Sequence, residues 1–545
     1  MNQQPKELRD LADQMLRDFE GLEGNRTDFE TQWREIAERI LPAYSRFFES
    51  RGWDPQPGEK RTEFMFDSTG AIGLGRFASV VDSMLTPANR KWAKLIPSSP
   101  ELAKDRGVRE YFEQVSNVLH HHRYSPQANF QSQNFESWRM LGAFGTGSVY
   151  VDKAEGRAGL RYKALHVGEL YLRENHQGVV DTFFRRFRWT ARQIQQRWPK
   201  FVENSKELSA ALKNPSQANT RWEIVHCVKP RTDLMPGRKD YRGMPWASYY
   251  VLRKTREIMD QGGYRTWPLP TSRYYTVPNE VYGRSPAMDV LPALKTLNEQ
   301  KKTILKQGHR MVDPILLLHD DGILDGASMV PGTGISGAVS KDGRPLIHTL
   351  PIGNPMAGKD MMDDERAVIN DAFLVTLFQI MTENPQMTAT EVIERTKEKG
   401  ILLNPTVGRQ QSEYLSPLIE REIDVLAAQR LLPEPPPVLL EAEGEYELEY
   451  DSPMAKAARA EEAAGAMRSV EQAIQIVSAT GDPAPLDNYN WDVMIPESSE
   501  IMGMPLRWMR SPAEIEQLRK QRAEQQQQQQ MIDAAPALAS MSKGG

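Results

Sequence analysis

Cysteine is almost absent from this sequence. Cys227 is the only cysteine among 545 residues, so no disulfide can form within the chain and no zinc site can be built from several cysteines of one subunit. The sequence also has no apolar run of the roughly 20 residues that cross a bilayer. Its polar start does not resemble a basic and apolar leader peptide. These absences predict a soluble protein without membrane insertion, made in a reducing cytoplasm.

An excess of positive charge is also absent. Lys and Arg number 68 against 73 Asp and Glu, which gives a net charge of −5. Affinity for duplex DNA comes mainly from neutralising phosphates, so this composition argues against a tight, nonspecific nucleic-acid binder. A conduit for DNA stays possible, because strong binding would stop a duplex from sliding.

The order of apolar patterns predicts an α+β fold with several structural regions, because the chain is longer than one ordinary core allows. Helical patterns cover residues 6–20, 27–41, 69–84, 108–122, 130–144, 191–198, 205–213 and 408–431. Strand patterns cover residues 92–97, 148–152, 160–163, 169–173, 179–189, 223–228, 248–252, 273–277 and 441–450. Gly70, Gly73 and Gly75 lack the spacing of a nucleotide-binding loop, so we expect them to allow close helix packing.

The chain is organised around the stretch from Asn279 to Met381. Ser285 suits a helix N-cap and Pro286 suits the first helical position. A helical pattern then continues to Arg310, and Pro292 is able either to kink this helix or to delay its true start. Basic residues share one face of this first arm: Lys295, Lys302, Lys306 and His309. An apolar set occupies the other side: Leu294, Leu297, Ile304 and Leu305. A surface helix with a solvated lysine face would give the same pattern.

A second helical arm covers Lys359–Met381. We expect acidic residues in its first turns, where negative charge complements a helix N-terminus: Asp360, Asp363, Asp364 and Glu365. We expect its apolar side to contain Val368, Ile369, Ala372, Phe373 and Ile380. Between the arms, strand-like segments at 315–318 and 345–350 enclose a glycine-rich middle, which predicts a small β-rich lobe. If many copies packed side by side, a basic arm could meet the acidic start of its neighbour.

Eight segments, taken in order, resemble the head-to-tail connector, or portal, proteins of short-tailed (podovirus) bacteriophages. These segments are Phe66–Thr69, Ser83–Pro87, Phe144–Ser148, Asn279–Ala287, Met387–Val392, Tyr450–Ala455, Gly503–Pro505 and Arg510–Pro512. The resemblance covers nearly the whole chain up to the glutamine run. Its specificity lies in the order and spacing of the segments, since no single one is decisive.

The resemblance implies a dodecameric ring at one capsid vertex, at the head-tail junction of the virion, through which double-stranded DNA is packaged and ejected. The implied regions are a wing at 1–284, stem helix 1 at 285–312, a clip at 313–356, stem helix 2 at 357–381, a channel loop at 382–387, a return to the wing at 388–452, and a crown with a Gln-rich tail at 453–545. The implied partners are the large terminase packaging ATPase, the major capsid and scaffolding proteins and a tail adaptor. No catalytic residue, cofactor or metal is implied.

The implied regions contain three sets of candidate site residues. The DNA-channel candidates are Lys295, Lys302, Lys306, His309 and Arg310. The channel-loop candidates are Glu383, Asn384, Pro385 and Gln386, and the clip candidates for docking a partner are Asp320, Asp321, Lys341, Asp342 and Arg344. Rings of lysines would touch phosphates without reading bases, so glutamate at Lys302 and Lys306 should impair DNA packaging without dissolving the ring.

Two other functions stay open. Residues Gly353 to Lys359 match G-x-x-x-x-G-K, the pattern of a packaging ATPase, but Asp360 stands where the Mg²⁺ site needs Ser or Thr. A scaffold or core protein of the virion without a channel is the other alternative, although it would not need so many strands. Paired carboxylates or a Ser/His/Asp set also remain open, because the scattered histidines have no known catalytic spacing.

Overall fold

The computed structural model describes residues 6–48, 61–214, 217, 219–317, 335–350, 355–375, 406–441, 446–450, 453–501, 504, 508–510 and 514–526. It divides into two compact units. The first contains residues 1–88, 122–392 and 401–431, and the second contains residues 89–121, 393–400 and 432–545. Both helices and small antiparallel sheets are present, so the expected mixture of α and β structure is confirmed.

The helices and strands follow one another in a mixed order. From residue 6 to residue 144 the order is α1 (Lys6–Asn25), α2 (Thr27–Ile40), α3 (Thr69–Leu85), β1 (Ala93–Pro97), α4 (Arg106–Arg123) and α5 (Phe130–Phe144). The next elements are β2 (Thr146–Lys153), β3 (Leu160–Ala164), β4 (Leu170–Glu174), β5 (Val180–Thr190), α6 (Ala191–Arg197), α7 (Pro199–Asn204), α8 (Lys206–Lys213), β6 (Arg221–Pro230), β7 (Trp246–Leu252), β8 (Glu257–Tyr264) and β9 (Thr271–Arg273).

The second half of the chain returns to helices. Its elements are α9 (Pro286–Asp289), α10 (Leu291–Val312), β10 (Leu316–Leu317), β11 (His348–Thr349), α11 (Pro355–Ala372), α12 (Ser416–Ala428), α13 (Pro437–Glu441), β12 (Tyr446–Tyr450), α14 (Pro453–Thr480), α15 (Trp491–Ile501) and a last helix at residues 514–526, α16.

Two antiparallel sheets form the strand-rich part of the first unit. The larger has the order β4-β5-β6-β7-β8, and the smaller has the order β3-β2-β9. Neighbours in the larger sheet follow one another in strand order and pair antiparallel, with α6, α7 and α8 inserted between β5 and β6. Strands β5 and β6 pair from Phe183 opposite Val228 to Thr190 opposite Arg221, so residues 185, 187 and 189 share one face.

The main core of the first unit joins α2, α3 and α5 to the helices around residue 290. Trp33 is fully buried, and its indole Nε1 donates a hydrogen bond to the carbonyl oxygen of Phe144 at 3.1 Å. Phe77, Leu294 and Phe373 belong to the same cluster. The buried residues of α2 recur at spacings of three and four, as an amphipathic helix requires.

The second unit contains a two-stranded sheet in which β1 pairs antiparallel with β12. Leu95 lies opposite Leu448, and Lys94 lies opposite Glu449. These strands are about 350 residues apart in the chain, so long-range pairing closes this unit. The strand predicted at 441–450 is confirmed from Tyr446 to Tyr450. Its start is wrong at Glu441, which is the last residue of α13, and residues 442–445 lie outside the described part.

Several predicted elements need correction. The strand predicted at 273–277 is shorter and earlier, at β9, and beyond it only an isolated bridge joins Tyr275 and Arg284. Strand β8 and helix α7 were missed. The helix predicted at 408–431 starts by residue 406, contains a π-helical turn at Gln411–Leu415 and ends at Ala428. The buried apolar residues around this turn keep helical spacings of three, four and seven, so the sequence did not reveal it. They are Tyr414, Leu415, Leu418, Ile419, Val425 and Leu426.

Candidate functional site

Helices α10 and α11 pack against each other, and strands β10 and β11 pair antiparallel between them in the chain. The expected pair of helical arms is therefore present. A Cβ atom on Gly358 of α11 would lie 2.7 Å from Cδ1 of Ile304 on α10, so glycine allows the two helices to approach closely.

The start of this hairpin follows the predicted N-terminal signals. Ser285 caps α9 by accepting a hydrogen bond from the backbone N–H of Met288 at 3.0 Å, and Pro286 occupies the first position. The Ser285 hydroxyl also donates to the carbonyl oxygen of Ala143 at 2.9 Å. Helix α10 restarts at Leu291 with Pro292 in its first turn, which confirms that Pro292 delays the helix.

Two glycine-containing segments contact each other where the hairpin begins. Gly145 has a φ of +77°, and a Cβ added there would overlap the backbone of Gly283. The N–H of Gly283 donates to the Thr146 hydroxyl at 3.0 Å. The segments Phe144–Ser148 and Asn279–Ala287 are therefore in direct contact, although they are far apart in sequence, and together they attach the hairpin to α5.

The segment before α3 attaches to α10. Asn298 is buried in α10, where its Oδ1 accepts hydrogen bonds from the backbone N–H groups of Phe66 at 2.8 Å and of Asp67 at 3.2 Å. Sequence reasoning missed Asn298. The available signal was a polar residue beside Leu297 on an otherwise apolar face.

The same segment also attaches to α11. Arg366 lies 2.7 Å from Asp67. Desolvation opposes ionisation of Asp67, but hydrogen bonds from Thr69 and Arg366 outweigh it, so the pKa of Asp67 is lowered. One short segment thus holds both arms, which links the Phe66–Thr69 motif to the hairpin.

The candidate channel cations do not all lie in the same environment. Lys295 forms an ion pair with Glu35. Lys302 lies 3.4 Å from Glu299, and its Nζ lies 5.6 Å from the centre of the Phe66 ring. Three candidates are exposed and form no ion pair within the described residues: Lys306, His309 and Arg310.

The buried apolar side of α10 extends less far along the helix axis than predicted. Leu294 and Leu297 are buried, but Leu305 is 45% exposed. Leu305 has nearly the same angular position as Leu294, so the difference comes from its place along the helix axis. The buried core residues of α10 lie in its first half, Ile304 packs against the core from the second half, and the core does not extend to Leu305.

The pattern predicted for α11 also needs correction. Its buried residues are Met362 and Ile369, and Phe373 directly after the helix is also buried, whereas Val368 is 52% exposed. Helix α11 begins at Pro355, so the acidic residues Asp360 to Glu365 lie beyond its first turn. The favourable effect of a helix N-terminus on negative charge falls off within that turn. Ile380 and the remainder of the predicted arm, 376–381, lie outside the described residues.

Three clip candidates lie on a tight turn. The isolated bridge between Val339 and Pro345 closes this turn, and Gly343 has a φ of +77°. The exposed residues on it are Lys341, Asp342 and Arg344. The other clip candidates, Asp320 and Asp321, lie outside the described residues, as do the channel-loop candidates Glu383, Asn384, Pro385 and Gln386.

The G-x-x-x-x-G-K segment does not form a phosphate-binding loop where it is described. Residues 355–359 are the first turn of α11, and Gly358 faces Ile304. In a nucleotide loop the residues before the final Gly-Lys form a non-helical loop around the phosphates, whereas residues 355–357 are already helical. The helix therefore argues against the ATPase alternative.

The described residues contain no group of three or more His, Cys, Asp or Glu side chains that could hold a metal ion. None of their helices has the length and apolar character needed to cross a membrane.

Comparisons with known proteins give a consistent result. The probable portal protein of Bordetella phage BPP-1 is 28% identical over 520 residues, which cover 93% of this chain and 90% of that protein. The portal protein of Salmonella phage epsilon15 is 26% identical over 542 residues, which cover 97% of this chain and 94% of that protein.

Among solved structures, a chain from the neck of an empty GTA particle computed with C6 symmetry has a TM-score of 0.37 and 11% identity, covering 83% of this chain and 95% of that chain. This likeness is too weak to support a conclusion about the fold. The model of the family described as "Bacteriophage head to tail connecting protein" matches residues 12–509. Because that match spans most of the sequence, this chain belongs to the family of bacteriophage head to tail connecting proteins.

Proposed function

We propose that this chain is a phage portal protein, one subunit of a ring at a capsid vertex through which double-stranded DNA is packaged and ejected. Family membership and the names of the two relatives support the portal role. The observation that carries the channel hypothesis is the α10–α11 hairpin. In the second half of α10, three exposed cations have no ion-pair partner within the described residues: Lys306, His309 and Arg310.

The hairpin has the dimensions and exposure expected of a stem. Helix α10 contains 22 residues, which at 1.5 Å per residue gives a length of about 33 Å. Its buried residues are Leu294, Leu297 and Asn298, and residues 301–312 include none. The second half of α10 therefore adds no buried residue to the core of its own chain. In a ring, neighbouring copies of the same chain would cover this part of the helix.

Exposed apolar side chains on both arms support this arrangement. Val312 is 89% exposed, Met361 is 57% exposed, and Leu305 and Val368 are also exposed. Exposed apolar groups that lie close together commonly mark protein interfaces. Helix α10 is mainly basic and α11 is mainly acidic, so a heterologous contact between neighbouring hairpins would place opposite charges together and can close into a ring.

The proposed mechanism is physical rather than catalytic. Each copy would contribute Lys306, His309 and Arg310 to the channel wall, and the ring would repeat them at successive heights. Contacts with phosphates carry no sequence information, and each exposed contact is weak and screened by salt. Many weak contacts would centre a moving duplex without holding it in place.

The remaining regions keep the roles implied by the resemblance. The wing would be 1–284 with its return at 388–452, the clip 313–356, and the crown and tail 453–545. In the clip, Lys341, Asp342 and Arg344 would meet the terminase or the tail adaptor, together with Asp320 and Asp321. Glu383, Asn384, Pro385 and Gln386 would reach the channel from the loop at 382–387. The ATPase activity would belong to the partner.

The test is electron microscopy of the purified chain, with mass photometry of the same sample. Rings with a central hole and a mass near that of a dodecamer of 62.0 kDa subunits are the expected result. A small species that hydrolyses ATP would overturn the proposal and return attention to Gly353–Lys359. A solid assembly without a hole would instead favour a virion scaffold.

A further inference from the structure

A cavity in the first unit lies between the β2–β3 hairpin and one face of the five-stranded sheet. Its volume is about 530 Å³, within the range of about 300–1,000 Å³ that is typical of ligand sites. Most of its lining comes from β2, β3, β5, β7 and α6. The stem hairpin contributes nothing to it, so the portal proposal gives this cavity no role.

Positive charge dominates the lining of the cavity. Six cationic side chains line it: Lys153, Arg157, Arg161, Lys163, Arg185 and Arg197. The lining contains two carboxylates, those of Asp152 and Glu155. Since the whole chain has a net charge of −5, this local excess is opposite in sign to the rest of the protein.

The two carboxylates already have partners. Glu155 accepts a hydrogen bond from Arg197, and Asp152 lies 3.7 Å from the Nη2 atom of Arg421. Four lining cations form no ion pair within the described residues: Lys153, Arg157, Arg161 and Lys163. The cavity therefore retains positive charge that its own acids do not balance.

Lys163 shows the effect of this imbalance. It lies opposite Tyr150 in the pairing of β2 with β3. Desolvation and the nearby Arg185 guanidinium lower the pKa of Lys163, and Glu169 only partly opposes them. Glu169 is engaged by Arg185 at 3.0 Å. A bound anion would supply the negative charge that Lys163 lacks.

Aromatic rings form another part of the lining, from Phe187, Trp189 and Tyr250. The ring centres of Phe187 and Trp189 are 5.0 Å apart, and Trp189 lies 5.6 Å from Trp198. Because these rings support one another, they form a fixed apolar wall rather than a mobile one. An apolar or aromatic group of a ligand can pack there.

The chemistry of the cavity favours a carboxylate ligand over a phosphate one. Arginine and lysine side chains bind carboxylates and phosphates alike, but the described lining adds no glycine-rich backbone of the kind found in phosphate-binding loops. The Thr190–Gln193 capping box already engages the backbone N–H groups of Thr190 and Gln193 at the start of α6. The phosphates of a DNA duplex lie on a broad convex surface. They would make no favourable contact with an apolar wall inside a concave cavity.

We propose that this cavity binds an acidic peptide segment of another protein, with carboxylates at Arg157 and Lys163 and an apolar or aromatic side chain against Phe187, Trp189 and Tyr250. The charge supplies salt-sensitive attraction, and the rings supply an anchor. This site is independent of the channel and would connect the subunit to a second protein.

The test uses fluorescence anisotropy on the full-length protein with a short labelled peptide that is rich in glutamate and contains one tryptophan. The double variant Arg157→Glu with Lys163→Glu should weaken its binding at least tenfold. The control Arg192→Glu with Lys200→Glu has the same charge change on exposed residues outside the cavity, and should change binding less than twofold. Lys163→Gln, the milder change, should weaken binding severalfold if the double variant fails to fold.

Four results would overturn this proposal. They are equal binding of a peptide with glutamine in place of glutamate, equal loss of binding in the control variant, absence of saturable binding at millimolar peptide, and tighter binding of a single-stranded or duplex oligonucleotide that the cavity variant abolishes. The last result would assign the cavity to nucleic acid. Electron microscopy of the ring reports separately on the portal proposal, so failure of one does not imply failure of the other.

Discussion

At the scale of single residues, His166 shows how the core of the first unit fixes a protonation state. Its ring is parallel to Tyr44 at a centroid distance of 4.9 Å and stacks on Phe47 at 4.4 Å. Its Nδ1 accepts a hydrogen bond from the N–H of Gly168 at 3.0 Å. Desolvation, followed by the positive charge of Arg26, lowers the pKa of His166 to about 3. The folded protein therefore contains neutral His166 over most of the acidic range.

This lowered pKa predicts acid sensitivity. An unfolded chain protonates this histidine near pH 6.5 and the folded chain near pH 3, so the stabilising effect is complete above pH 6.5 and is lost as pH falls towards 3. His166→Asn preserves an acceptor for Gly168 and removes the titration. We expect lower overall stability, with a dependence of the free energy of unfolding on pH that is flatter by up to about 1.4 kcal/mol per pH unit. Urea unfolding across this range measures it.

The exposed His176 provides the control for that experiment. His176→Asn makes the same substitution on an exposed side chain and should change the free energy of unfolding at neutral pH much less than His166→Asn does. If His166→Asn gave the same pH dependence as the unmodified protein, the interpretation of a buried neutral histidine would be wrong.

At the scale of elements, the close backbone contact between Gly145 and Gly283, called the joint below, connects the hairpin to α5. Gly145→Ala should destabilise the protein for two reasons: the φ of +77° and overlap with the Gly283 backbone. Gly178→Ala is a matched control, since Gly178 has a φ of +75° and open space around it. We expect about 1–2 kcal/mol from conformational strain alone at Gly178 and more than about 4 kcal/mol at Gly145.

Thermal unfolding and soluble yield measure both variants. Equal losses would mean that the contact with Gly283 adds nothing beyond conformational strain, and the joint would not explain why the two motifs occur together.

The stem cations provide a second prediction at this scale. Lys306→Glu with Arg310→Glu reverses charges that have no ion-pair partner within the described residues, so DNA packaging should fall at least tenfold while rings remain visible. Lys295→Gln is the control, because the ion pair with Glu35 already engages this lysine. Counting DNA-filled particles and rings by electron microscopy gives both readouts. Normal packaging would remove Lys306 and Arg310 from the channel, and loss of rings would place them in a subunit interface.

At the scale of the whole molecule, the exposed apolar residues of α11 predict dependence on other copies. Met361→Lys with Val368→Lys should convert rings into smaller species without lowering the thermal stability of the subunit, since both side chains are exposed in the single chain. Val179→Lys is the control, because Val179 is equally exposed but lies between β4 and β5. Mass photometry separates the species. Intact rings in the α11 variant would contradict this stem interface.

The sequence by itself determined much of this protein. The absence of cysteine pairs, the order of helices and strands and the start of the hairpin at Ser285 follow from local chemistry, because caps, prolines and apolar periodicity act within a few residues. The resemblance carried by the eight segments also identified the family.

Only the tertiary structure decided which of those residues act together. The ion pair of Lys295 depends on Glu35, which only the fold brings beside it. The fold likewise brings the backbone N–H groups of Phe66 and Asp67 to the side chain of Asn298. The periodicity that placed Leu305 with Leu294 specifies an angle around a helix and not how far the core extends along it. The charged cavity beside Lys163 was invisible for the same reason. Its lining comes from segments far apart in the chain, and long-range packing, which no local pattern records, brings them together.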